Sequence, residues 1–211
     1  MERTASRILA ILAAAALGVA DASGQASPPC IAVHLQSAGV IEGDHLLEAE
    51  ARATRIFEAI GVSIRWVNDD SRSRRSSRRD AFDVSVSVLS EVATVAFLAK
   101  ASTPPDALGV TIVHTTHAYV FGERIHEVAR SHKNLPILLG RVLAHEIGHI
   151  VLPGAAHSDV GIMRADLSKA GPVIDPGFTP SQGESIRSWL SGRMLDLVSN
   201  GRPGLAALET N

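Results

Sequence analysis

Residues 136–151, PILLGRVLAHEIGHIV, limit the possible folds more than any other segment of the chain. Pro136 suits the first turn of a helix, and the apolar pattern runs on from Ile137 to Val151. Leu138 and Val142 share a face with His145 and His149. Leu139, Leu143, Ile147 and Ile150 make a neighbouring stripe. A helix that is apolar over most of its circumference belongs inside the protein. Histidines buried with it need partners.

The rest of the chain predicts what surrounds that helix. Residues 30–35 and 62–67 alternate as strands, and 82–89 (FDVSVSVL) alternates strictly, with Val84, Val86 and Val88 on one face. A helix is expected over 44–60, capped by Asp44 and ended by Gly61. It rests on the spacing of Leu46, Leu47, Ala53, Ile56, Phe57 and Ile60. Further strands are expected at 108–114 and 118–121, with a helical turn or two at 123–131. A last helix is expected over 180–198, capped by Thr179. Residues 69–80 carry five arginines and read as a solvated loop. This order gives an α+β fold, a mixed twisted sheet packed by two long helices.

Composition bounds the class. Of 211 residues, 45% are hydrophobic and 20% charged, which is the balance of a globular protein. A formal net charge of -2 gives no reason to expect nucleic acid as a partner. The single cysteine, Cys30, excludes an internal disulfide and a cysteine-based zinc finger. Residues 1–26 read as a signal peptide. Arg3 and Arg7 precede an apolar run at 8–20, and small residues then place cleavage near 22 or 26. The run is too short to span a bilayer. Residues 27–211 are then one domain, periplasmic or secreted, with no membrane partner after cleavage. Nothing in the sequence speaks to oligomeric state.

The segment His145-Glu146-Ile147-Gly148-His149 carries the chemistry. Residues four apart lie on one helix face, so both imidazoles can reach one metal ion. Glu146 sits about 100° round the helix from His145. It can touch water on the metal without being a ligand, as a general base must. A hydrolytic zinc takes three protein ligands and keeps one position for water. His157 follows Gly154, a residue that lets the chain turn sharply off the helix end. Asp159 and Glu184 are the other candidates for the third position. The remaining histidines, His34, His45, His114, His117, His126 and His132, are scattered and read as structural or exposed.

The stretch HEIGHIVLPGAAHSDVGIM resembles the metzincin metalloproteases, whose pattern is H-E-x-x-H-x-x-G-x-x-H followed by a turn with methionine beneath the metal. It is also similar to small exported bacterial zinc-protease-like proteins. Gly154 and His157 stand five and eight residues after His149, where metzincins have three and six. The resemblance implies His145, His149 and His157 as ligands of a Zn2+ cofactor, Glu146 as base and Met163 as the supporting methionine. It also implies a metzincin-like fold, with the zinc site on the second long helix and a small C-terminal helical part. An edge strand would line the substrate cleft, with 118–121 the candidate. Tyr119, the only tyrosine, is a candidate to bind substrate there, against the plainer role of a half-buried strand residue. The expected function is an exported zinc metallopeptidase, a hydrolase of peptide or protein substrates. The alternative is a non-catalytic, zinc-stabilised binding module. That module would not need Glu146, a carboxylate costly beside a closed metal site.

Overall fold

The computed structural model describes residues 28–37, 39–67, 80–101, 103–112, 114–131, 133–152, 154, 157–167 and 176–200. The signal segment at 1–26, the arginine-rich stretch at 68–79 and the tail beyond 200 lie outside them.

Strands β1 (Cys30–Gln36), β2 (Ser63–Val67), β3 (Phe82–Leu89), β4 (Gly109–Thr111) and β5 (His117–Phe121) form one sheet in the order β2-β1-β3-β5-β4. The first four in that order are parallel, and β4 returns antiparallel along the outer side of β5. Parallel neighbours need long crossovers. Helix α1 (Gly43–Glu58) links β1 to β2, and α2 (Glu91–Leu98) lies in the connection from β3. Helices α3 (Gly122–Ala129), α4 (Leu135–Val151) and α5 (Pro180–Asn200) complete a mixed α+β fold with a five-stranded mixed sheet.

Strand alternation decides which face each helix covers. Ile31, Val33, Val84, Val86, Val88, Ala118 and Val120 share one core with α1, α4 and the buried Ile186 and Leu190 of α5. Tyr119 is one residue out of phase with Ala118 and Val120. Its ring centroid lies 4.9 Å from that of Phe97 on α2, so α2 covers the opposite face. Residues 138–148 of α4 are all buried, as the apolar circumference requires. Helices α1 and α4 come close at Gly140. A β-carbon there would stand 2.8 Å from the Ala49 carbonyl oxygen.

The structure departs from the sequence reading in four respects. Helix α2 was not expected. Ser90 caps it by accepting from the Ala93 amide at 3.4 Å. Its apolar residues conceal it, because Val92 and Val95 are 81% and 64% exposed and leave no helical stripe. Strand β4 ends at Thr111, well short of 114. The strand order makes β4 the edge beside the cleft, and 118–121 belongs to an interior strand. Helix α1 starts at Gly43, with Asp44 in the first turn instead of at the cap. At α5 the expected Thr179 cap is present. Gln182 N donates to Thr179 Oγ1 at 3.3 Å, and Thr179 N donates to Gln182 Oε1 at 2.9 Å. Among the described residues, no helix is long and apolar enough to cross a membrane.

Two glycine substitutions separate helix propensity from packing. A β-carbon at Gly192 on α5 would meet no atom within 4 Å, so Gly192→Ala should gain up to about 1 kcal/mol in denaturant unfolding. Gly140→Ala should instead destabilise, because overpacking against fixed backbone costs about 1–3 kcal/mol.

Candidate metal centre

Helix α4 carries His145 and His149 one turn apart on the same side. His145 is buried, and its Nδ1 lies 2.8 Å from the Ile162 carbonyl oxygen. A carbonyl only accepts, so Nδ1 carries the proton and Nε2 offers a lone pair. The His149 Nε2 is 3.0 Å from that atom and donates to it. A cation would take the place of this shared proton between the two nitrogens.

The third imidazole arrives from outside the helix. Leu152 leaves α4 in an extended conformation, and Gly154 adopts φ 68, a left-handed geometry that suits glycine. His157 then returns to the pair. Its ring centroid stands 5.3 Å from that of His145 and 5.1 Å from that of His149. One nitrogen from each of His145, His149 and His157 lies within 4.8 Å of the others, so the three could hold a metal ion. The donor set fits zinc. It consists of three imidazoles, and nitrogens about 2.0–2.1 Å from a tetrahedral ion stand about 3.4 Å apart.

The segment after His157 packs under the helix. Ser158 N donates to the Met163 carbonyl at 2.8 Å, and Ile162 N donates to the Gly177 carbonyl at 2.8 Å. Ile162 and Met163 are fully buried. Gly148 makes room for this turn, since a β-carbon there would meet Met163 Sδ at 2.6 Å and Phe178 Cε1 at 3.0 Å.

Glu146 faces the edge strand. It is buried, and the Thr111 hydroxyl lies 2.8 Å from its Oε2 and 3.0 Å from its backbone carbonyl. Gly109 lets the strand come this close, because a β-carbon there would stand 2.7 Å from Glu146 Oε1. Burial pushes the Glu146 carboxyl up to about 7, partly opposed by the Thr111 hydrogen bond. Burial likewise lowers His145 to about 4, against the Ile162 hydrogen bond that favours its charged form. At neutral pH, His145 is therefore a neutral imidazole with its lone pair available.

Of the residues singled out in the sequence, the structure brings His145, His149 and His157 together, with Glu146 adjacent and Met163 against Gly148. Tyr119 is not brought to the site. It points to the other face of the sheet, against Phe97, and does not line the cleft. Asp159 and Glu184 are exposed and outside the triad. Thr111, Gly109 and the Ile162 carbonyl were missed by sequence reasoning. Thr111 and Glu146 are 35 residues apart, and a backbone carbonyl has no residue-type signal. Among the remaining histidines, His34 pairs with Asp83 at 2.9 Å on the sheet.

No protein-family profile matches the chain, and no curated protein matches it in sequence. In structure it is similar to a zinc-dependent peptidase from Methanocorpusculum labreanum (strain Z). Identity is 13%, coverage is 80% of this chain and 99% of that one, and the TM-score is 0.40. So remote a likeness carries no argument about function, which rests on the side chains themselves.

The buried carboxyl has a measurable consequence in metal-free protein. Its pKa is raised on folding, so between 4.5 and about 7 the folded state holds a proton that the unfolded state has released. Its contribution to stability is thus lost as pH rises through that window. In chelator, Glu146→Gln should stabilise the fold at pH 8 by up to about 3 kcal/mol. The gain should vanish near pH 4. Urea unfolding of both proteins at the two pH values checks this.

Proposed function

We propose that this chain is an exported zinc-dependent peptidase. The observation that carries the proposal is the meeting of three imidazoles with a buried carboxylate, which the edge strand of the sheet holds beside them. His145, His149 and His157 would hold the metal, and no fourth protein ligand accompanies them among the described residues. That set is what a hydrolytic zinc site uses, with one position left for water. A bound zinc supplies Lewis acidity, polarising a carbonyl and lowering the pKa of water.

The chain's own residues supply the proton chemistry. Thr111 engages Glu146 Oε2, which leaves Oε1 to take a proton from the attacking water and deliver it to the leaving amine. Gly109, Val110 and Thr111 of β4 line the cleft opposite His145 and Glu146. An edge strand presents unpaired backbone groups, to which an extended peptide can add as a further strand. This supports peptide or protein substrates. Met163 beneath Gly148 is read as the metzincin supporting methionine. Residues 1–26 support export to the periplasm or beyond.

Metal analysis and a peptide-library digest test the reading together. Purified protein should carry about one zinc per chain, and His145→Ala or His149→Ala should lose it. Glu146→Gln should keep zinc while turnover falls at least 10²–10⁴-fold, as expected on losing a general base. Cleavage at the parental rate by Glu146→Gln would remove Glu146 from the mechanism. Zinc-loaded protein that cleaves no peptide would instead be a zinc-stabilised binding module.

A further inference from the structure

We propose that Gln182, at the start of α5, positions His157 for the metal through Ser158. The inference rests on reading His157 as the third ligand. His145 and His149 are placed by a buried helix. His157 is exposed and stands outside any helix or strand, so the cost of ordering it falls on the segment that follows.

Ser158 is the next residue, and it closes the turn in two ways. Its amide donates to the Met163 carbonyl at 2.8 Å, and its hydroxyl donates to the Val160 carbonyl at 2.8 Å. That hydroxyl also accepts from Gln182 Nε2 at 3.2 Å. Gln182 is itself held by the cap of α5, where its Oε1 accepts from Thr179 N at 2.9 Å. One side-chain amide thus caps a helix with its oxygen and holds the turn after His157 with its nitrogen. Capping uses only the oxygen, and glutamate serves equally well there. The nitrogen's contact with Ser158 is therefore separable from helix stability. The other limb of the turn is tied to the approach to α5 by Ile162 N donating to the Gly177 carbonyl at 2.8 Å. Ordering the turn before the metal arrives removes that cost from binding.

Two substitutions break the link from opposite ends. Gln182→Glu keeps the capping acceptor and adds negative charge where a helix N-terminus favours it. It removes the donor to Ser158, whose hydroxyl has one proton and cannot serve Val160 and a carboxylate together. Ser158→Ala removes the hydroxyl, and Ser158→Thr keeps it.

Zinc affinity is read by competition with a chromophoric chelator, beside the melting temperature of each metal-free protein. Gln182→Glu and Ser158→Ala should each weaken zinc binding about tenfold, the lower end for outer-shell partners of a metal. The double variant should weaken it no further, and Ser158→Thr should stay near the parent. The metal-free melting temperature of Gln182→Glu should not fall. Parental affinity in Gln182→Glu and Ser158→Ala, with His157→Ala weakened, overturns the positioning role and leaves His157 a ligand. Weakened binding that tracks a falling metal-free melting temperature, without rescue by threonine, also overturns it. His157→Ala with parental affinity overturns the ligand reading itself.

Discussion

Helix α4 takes an imidazole and a carboxyl group out of water, and each must be met by a partner inside the protein. His145 is met by the Ile162 carbonyl and Glu146 by the Thr111 hydroxyl. The first bond ties the helix to the turn that follows His157. The second ties it to the edge strand β4. Two segments remote from each other in sequence are thus held against one helix by the polar groups it buries. The cleft lies between them.

Close approach is as necessary as hydrogen bonding. At Gly109 and Gly148 a β-carbon would fall within 2.7 Å of Glu146 Oε1 and Met163 Sδ respectively. Any side chain at Gly109 would push the strand off the carboxyl and lengthen the Thr111 hydrogen bond. One at Gly148 would push Met163 and Phe178 away, and with them the Ile162 carbonyl. Both clearances therefore act on the same polar pair that the helix buries.

Burial also sets the two groups apart electrostatically. The same desolvation acts on both, yet it lowers the histidine and raises the glutamate, because each is driven toward its uncharged form. His145 is left with a lone pair to give across the neutral range. Without a metal, Glu146 stays uncharged until near neutrality. A cation seated among the imidazoles would favour the glutamate's charged form, so metal binding and the state of Glu146 are coupled.

Local periodicity was enough to read much of this in the sequence. Strict alternation gave β3 its bounds, and an apolar circumference marked α4 as buried. The four-residue interval put His145 and His149 on one face, since a helix turns in 3.6 residues. Thr179 marked the start of α5, because a helix cap is made by contacts within one turn. Where the signal was not local, the sequence was silent or misleading. Val92 and Val95 hid α2, because its apolar residues face outward. The pairing of β4 outside β5 moved the edge strand away from 118–121, and alternation along β5 put Tyr119 on the far face. The partners of Glu146 and His145 come from 35 residues before and 17 residues after in the chain. No residue pattern announces them, because a threonine on a strand or a backbone carbonyl in a turn acquires its meaning only when packing brings it to a buried charge. The sequence by itself determined which side chains could do chemistry, and tertiary packing decided which of them meet.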